Sequence, residues 1–358
     1  MRTRRRRCRR RDATAPCYDL CPQRDRLVLL LSMNASVGIV AIGRNEGARL
    51  EACLESVEGQ VGAVVYVDSG STDGSVEMAR ARGVEVVELD MSEPFTAARA
   101  RNAGAQRLQE TGSELRYVQF VDGDCAVVDG WIAAGAAALD ADRELAVACG
   151  WRRERAPDAT VYNLLCDIEW HRPPGVIDAC GGDAMMRLEH FRAVGGFDPS
   201  LIAGEEPELC VRLRGRGWRI LRLPEDMTLH DAAMTTWRQW WLRAKRSGYA
   251  FGLVNNVSGG AIWGREVRSI LAYCVALPTV AVAAAVAWTP WALALLAAPL
   301  LSVYRVRSRE LAAGRPPRAA SAWAWSCILS KVPSMAGLLA YVFDRLRGAR
   351  RGLIEYKG

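Results

Sequence analysis

The sequence predicts an α/β fold: a doubly wound, mostly parallel sheet followed by a transmembrane helical hairpin. Three observations carry this. Short apolar runs alternate with amphipathic helical stretches from residue 37 onward. Two of those runs end on aspartate, at Asp68 and Asp122. Residues 269–304 then pass 36 positions without a charged side chain.

Residues 37–42 (VGIVAI) read as a strand buried on both faces. Residues 48–57 follow as a helix with Leu50, Cys53, Leu54 and Val57 on one stripe. Strands at 63–67, 84–89 and 117–121 alternate with helices at 75–82, 96–109 and 130–141, and 145–149 is strand-like. A βαβαβαβ rhythm of this kind builds a parallel sheet whose ligands bind beyond the carboxyl ends of the strands. Residues 150–257 are less regular, with glycine pairs at 181–182 and 195–196. One clear helix is expected there, at 207–214 with Pro207 at its first position.

The uncharged run is divided at Thr289-Pro290 into 270–288 and 291–304 with its flank. About 18–20 helical residues cross a ~30 Å hydrocarbon core, so each piece approaches one span. Arg265 and Arg268 precede the pair, and Arg305, Arg307 and Arg309 follow it, which puts both ends on the cytoplasmic side of the inner or plasma membrane. Residues 319–343 are a further apolar stretch broken by Lys331 and Pro333. The arginines beyond it oppose a third span, so an interfacial or re-entrant helix is favoured, with Trp323 and Trp325 at headgroup depth. The expected divisions are 1–33, 34–260, 265–310 and 319–345.

The net charge of +7 belongs to the N-terminus, because residues 1–26 hold ten Arg against three Asp and the rest balances. A nucleic-acid surface on the folded body therefore has no support from charge. The arm itself cannot build a core. It reads as disordered, as sequence upstream of a true start at Met33, or as an arm attracted to anionic lipid or nucleic acid. The eleven cysteines include no CxxC pair and read as reduced, mostly buried thiols.

Asp122-Gly123-Asp124 directly follows the fourth strand. Two carboxylates two residues apart can approach one cation where the chain bends, and Mn²⁺ or Mg²⁺ prefers such oxygen ligands together with phosphate oxygens. Asp68 ends a neighbouring strand, where a carboxylate can accept from a nucleobase N–H. Arg44 and Glu46 lie in the adjacent loop, Glu46 reading either as a border of the nucleotide or as a charge at a helix N-terminus. Glu205-Glu206 open a helix, although glutamate is a poor N-cap. Either carboxylate could accept an acceptor hydroxyl proton. His230 reads as a structural imidazole or as a further ligand of the metal or diphosphate site. Residues 237–246 (WRQWWLRAKR) read either as an interfacial helix or as a source of diphosphate contacts through Arg243 and Arg246.

Together, VGIVAIGRNEG, VVYVDSGSTDGS, FTAARARNAG, VQFVDGDCAV, CGGDAMM, VGGFDPSLIAGEEPELCVRLRGRGW and TLHDAAM resemble the family 2 glycosyltransferases, which have the GT-A fold. The resemblance implies inverting transfer of a sugar from a UDP- or GDP-linked donor by single displacement. It assigns nucleotide binding to Asp68, Arg44, Glu46 and Arg101, and metal and diphosphate to Asp122 and Asp124. It makes Gly181, Gly182 and Asp183 an acceptor loop. The family commonly has Glu-Asp where this chain has Glu205-Glu206, which makes Glu206 the candidate base and leaves Glu205 open. The Gln-x-x-Arg-Trp motif of processive synthases is not matched by 239–243 (QWWLR). The layout also resembles transferases that load sugars onto polyprenyl phosphate, which suits a lipid-linked or envelope-polysaccharide acceptor.

Overall fold

The computed structural model describes residues 36–111 and 114–348. The basic arm and Met33 lie outside the described residues. Among these, nine strands form one sheet in the order β3-β2-β1-β4-β8-β6-β9-β5, with β7 against β9. The first four are β1 (Val37–Gly43), β2 (Ala63–Asp68), β3 (Glu85–Glu88) and β4 (Tyr117–Asp122), all parallel. Val37, Ile39, Val40 and Ala41 are fully buried, as the unbroken apolar run requires. The helices between them are α1 (Ala48–Glu55), α2 (Ser75–Ala81) and α3 (Ala97–Glu110). Thr96 caps α3 by accepting from the Arg99 N–H at 3.0 Å. Helix α3 lies tight on the sheet, since a Cβ on Gly104 would stand 2.4 Å from Val40.

Beyond β4 the sheet turns mixed. Strand β5 (Cys125–Val127) follows the Asp122–Asp124 turn, then α4 (Trp131–Ala141) and β6 (Leu145–Glu154). Helix α5 (Val161–Trp170), β7 (Gly175–Val176), β8 (Ala184–Arg187) and α6 (Leu188–Ala193) come next. Strand β8 runs antiparallel between β4 and β6. Strand β9 (Arg219–His230) runs parallel to β6 with register shifts, and antiparallel to β5. The strand-like piece at 145–149 is thus one end of a long strand, and β9 is a second long strand. Their polar middles hide them, because Trp151-Arg152-Arg153-Glu154 and Pro224-Glu225-Asp226 lack an apolar run. Helix α5 was not expected from the sequence.

Helix α7 (Glu205–Gly215) begins two residues earlier than expected. Gly204 stands before it at φ 81°, and Pro207 is the third helical residue rather than the first. The first four helical N–H groups lack intrahelical acceptors, so a proline is tolerated there.

The C-terminal third is helical. Helix α8 (Trp237–Val257) carries a capping box, Thr236 with Gln239. Helix α9 (Gly264–Ala287) is one 24-residue apolar helix with a π-helical turn at Ala272–Ala276. That turn lies just before Pro278, whose ring displaces the normal hydrogen-bond ladder. After Thr289 the chain folds back as a 3₁₀ segment, Pro290–Ala297, packed on α9. It continues as α10 (Ala298–Ala312), so the returning leg at 291–304 is not one continuous α-helix.

Helices α11 (Pro317–Leu329) and α12 (Lys331–Leu346) follow end to end. Together they form a 30-residue helix long and apolar enough to cross a membrane, as does α9, by length and composition. Val286, Trp288 and Trp291 are each about 85% exposed. By contrast α8 and α12 are in backbone contact: a Cβ on Gly248 would lie 1.9 Å from the Ser334 carbonyl, and one on Gly337 1.9 Å from that of Lys245.

Candidate active site

The carboxyl ends of β1 and β2 form the first wall. The loops after them are laced together: Asn45 N–H donates to Ser71 Oγ at 2.9 Å, and Thr72 N–H donates to Asn45 Oδ1 at 2.7 Å. Asp68 is buried and accepts from Tyr66 Oη and from the Gly70 and Ser71 N–H groups, each at 2.8 Å. It therefore shapes its own loop. Glu46 pairs with Arg49 at 2.8 Å on α1, and Arg44 is exposed on the loop.

At the end of β4, Asp122 meets two arginines. Arg101, on α3, donates to Asp122 Oδ1 at 2.7 Å and to Glu205 Oε1 at 2.6 Å. Arg152, on β6, donates to Asp183 Oδ1 at 2.8 Å and approaches Asp122 Oδ2 at 3.4 Å. Asp183 also accepts from the Asp122 N–H and from Thr228 Oγ1. Burial opposes the Arg101 charge, and Asp122, Glu205 and Asp183 together more than offset it, holding the guanidinium charged. The loop backbone closes on this network. A Cβ on Gly182 would stand 2.8 Å from an Arg101 nitrogen and 3.5 Å from Asp122 Oδ2. Gly123 serves a similar purpose: a Cβ there would press on the Ile42 carbonyl at 3.1 Å.

Asp124 stands apart from that network. Its neighbour Cys125 pairs in register with His230, bringing His230 Nε2 to 3.3 Å from Asp124 Oδ2. Both side chains are buried. His230 Nδ1 has no hydrogen-bond partner and faces Glu154 Oε2 at 3.7 Å, while the Trp170 ring meets the imidazole edge-on at 4.5 Å. Burial is the main influence lowering the His230 pKa, which keeps the neutral, ligating form. A carboxylate oxygen and an imidazole nitrogen converging at this distance, with a second carboxylate behind the ring, fit a Mn²⁺ or Mg²⁺ ion.

The two helix-start glutamates diverge. Glu205 faces Arg101, whereas Glu206 lies under the loop before Gly181. There Glu206 Oε1 accepts from the Cys180 N–H at 2.5 Å and from the Cys180 and Cys210 thiols at 3.0 Å each.

The geometry thus joins Asp122, Arg101, Glu205, Gly182 and Asp183 in one network, and Asp124 with His230 in a second. Asp68, Arg44 and Glu46 form the flanking loop wall. Arg101 is a buried bridge between acids rather than a residue at the loop surface. Arg243 pairs with Glu169 at 2.7 Å, next in sequence to Trp170, while Arg246 follows on α8, half-buried. Arg152, Glu154 and Trp170 were missed from the sequence. Arg152 and Glu154 are two apart on one strand face, a period-two signal that could have found them once 145–154 was read as a strand.

Residues 36–194 match the family model described as glycosyl transferase family 2. The chain carries a family 2 glycosyltransferase domain. Among curated proteins, the succinoglycan biosynthesis protein ExoA of Rhizobium meliloti is 31% identical over 192 residues, 49% of this chain and 57% of that protein. A TPR repeat-containing protein of Synechococcus elongatus is 29% identical over 197 residues, 55% of this chain and 42% of its own length. The matches therefore span less than two thirds of either relative. Among solved structures, the mannosyltransferase PcManGT from Pyrobaculum calidifontis, in complex with GDP-Man and Mn²⁺, aligns with a TM-score of 0.54 at 17% identity. That alignment covers 87% of this chain and 88% of the other. The glycosyltransferase domain has the GT-A fold.

Proposed function

We propose that this glycosyltransferase moves a sugar, with inversion, from a UDP- or GDP-linked donor to a lipid-linked or envelope-polysaccharide acceptor at the cytoplasmic face of a membrane. The observation that carries it is the Asp124–His230 pair, set beside the Asp122–Arg101–Glu205 network at the carboxyl end of β4. A Mn²⁺ or Mg²⁺ ion held by Asp124 and His230 supplies, when bound, positive charge against a diphosphate leaving group. Asp122, at the other end of the tripeptide, is held by Arg101 and more loosely by Arg152, and its carboxylate would add negative charge beside such an ion.

Arg101 fixes the direction of α7 toward β4 through Glu205. Accepting a proton on Glu205 would break that ion pair, whereas the three donors to Glu206 are uncharged and all meet Oε1. Glu206 is accordingly the base that takes the acceptor hydroxyl proton as the new glycosidic bond forms, with the diphosphate leaving from the opposite face. The Gly181–Asp183 loop over Glu206 places the acceptor. Asp68, Arg44 and Glu46 bound the nucleotide, and Arg243 and Arg246 border the diphosphate from α8. The exposed apolar helices hold this site at lipid headgroups.

The test is the detergent-purified full chain with a panel of UDP- and GDP-sugars, Mn²⁺ and a polyprenyl-phosphate acceptor. Asp124→Asn is expected to lower kcat/KM about a thousandfold, or ~4 kcal/mol of transition-state stabilisation. Transfer by Asp124→Asn at the wild-type rate would sink the metal assignment.

A further inference from the structure

Beneath the acceptor loop, two thiols to which the transfer reaction assigns no chemical step converge on Glu206. Cys180 and Cys210 are buried, with Sγ atoms 3.9 Å apart, and each thiol lies 3.0 Å from Glu206 Oε1. One potential ligand atom from each residue falls within 4.8 Å of the others. The three come from two segments: Cys180 from the loop before Gly181, Glu206 and Cys210 from successive turns of α7. The i,i+4 spacing on α7 puts Glu206 and Cys210 on one face, and the loop lays Cys180 across them.

We propose that Cys180, Cys210 and Glu206 form a binding site for a thiophilic divalent cation of the zinc class, distinct from the Asp124–His230 pair. The sulfur separation supports it. Bonds of ~2.3 Å at tetrahedral angles place two thiolate ligands ~3.8 Å apart, whereas a disulfide needs ~2.05 Å. The donor set supports it too, because two thiolates and one carboxylate suit a soft cation and leave a fourth position open. Mn²⁺ and Mg²⁺ prefer oxygen ligands, so a pair of thiolates beside one carboxylate disfavours them.

Binding is balanced by protons. Each thiol gives up one proton as its sulfur bonds to the cation, and no electron changes hands. Burial pushes the Cys210 thiol up to about 11, and hydrogen bonding with Cys210 and burial push Cys180 up as well. The consequence for catalysis rests on the proposed function: a cation on Glu206 removes the base, so zinc-class ions inhibit where Mn²⁺ activates. The site itself does not depend on that reading.

The experiment is a titration of the full-length protein in detergent with Cd²⁺, in the presence of excess Mg²⁺, followed by the ultraviolet thiolate-to-cadmium charge-transfer band. No donor or acceptor sugar is needed, so the result is independent of any activity. One equivalent of Cd²⁺ per chain is expected to develop the band. Cys180→Ser and Cys210→Ser should each lose it, while Cys166→Ser, outside the cluster, should keep it. Thermal melts identify any variant that fails to fold. For such a variant, alkylation protection is read on the wild-type chain: Cd²⁺ should shield Cys180 and Cys210 together. A wild-type chain with no band, a band that survives both substitutions, or a pair that forms only a disulfide in air and takes no cation would overturn the site.

Discussion

The sheet domain and the C-terminal helices are both rich in apolar residues, yet they place them oppositely. In the sheet domain, Val37, Ile39, Val40, Tyr117, Phe120 and Val121 are buried. In α9 and the turn after it, Val286, Trp288 and Trp291 stand almost fully exposed, and only 17% of the apolar window of α9 is buried. An exposed apolar surface of that extent needs another apolar phase to cover it. The sheet domain needs none, because each helix covers the strands next to it. The two regions meet at α8 and α12, where glycines allow backbone contact. The same junction holds a smaller apolar cluster, in which Trp170 and Trp241 pack with Trp323 of α11. Trp170 in turn touches His230. The C-terminal helices are therefore in packing contact with a residue that surrounds the candidate metal ligands.

The largest test of this contrast is removal of the helices. A chain ending at residue 260 uncovers the glycine face of α8, and it should aggregate rather than elute as a monomer. A soluble fragment with cooperative unfolding would break the comparison, since the sheet domain would then be independent of α12. Next in size is Arg101→Met, which leaves Asp122 and Glu205 facing each other without their cation. A loss of about 3 kcal/mol in unfolding free energy is expected, seen as a lower denaturation midpoint. No change would mean that the network contributes only to chemistry. Gly248→Leu drives a side chain into the Ser334 carbonyl and should cost about 2–3 kcal/mol. Its signature is separation of α8 from α12, detectable by a cross-link between engineered cysteines that forms in the parent and fails in the variant. The smallest effect belongs to Trp288→Ser. At 86% exposure the ring has few protein contacts to lose, so the detergent-solubilised midpoint should move by less than about 0.5 kcal/mol. Vesicle partitioning should weaken measurably. Equal partitioning of variant and parent would argue that the apolar face is covered by protein.

Legibility differed in the same way across the molecule. The strands β1, β2 and β4 were readable because each is a largely apolar run, broken only by Gln119 in β4, that ends where a charge begins. Strands β6 and β9 were not, because charged residues interrupt the apolar signal, Arg152, Arg153 and Glu154 in β6 and Arg222, Glu225 and Asp226 in β9. The same residues, Arg152 and Glu154, carry the contacts to Asp122, Asp183 and His230 that the sequence analysis missed. Asp122-Gly123-Asp124 was legible as a turn with two carboxylates, and His230 as a further candidate ligand. Their partition was not legible: Asp122 turns to Arg101 and Arg152, and Asp124 alone turns to His230. Arg101 gave a motif signal but no hint of its place between two acids, which lie 21 and 104 residues away in the chain.

Local chemistry along the chain thus determined the α/β class, the positions of the first four strands along the chain, the carboxyl-end loops and the apolar C-terminal helices. These depend on periodicity, turn residues and the absence of charge, all properties of neighbouring residues. Tertiary structure alone decided which carboxylate meets which partner. Glu205 and Glu206 are chemically identical and adjacent, and the helical turn between them sends one to a guanidinium and the other to two thiols. Such a choice is set by what the rest of the chain brings to each face of α7.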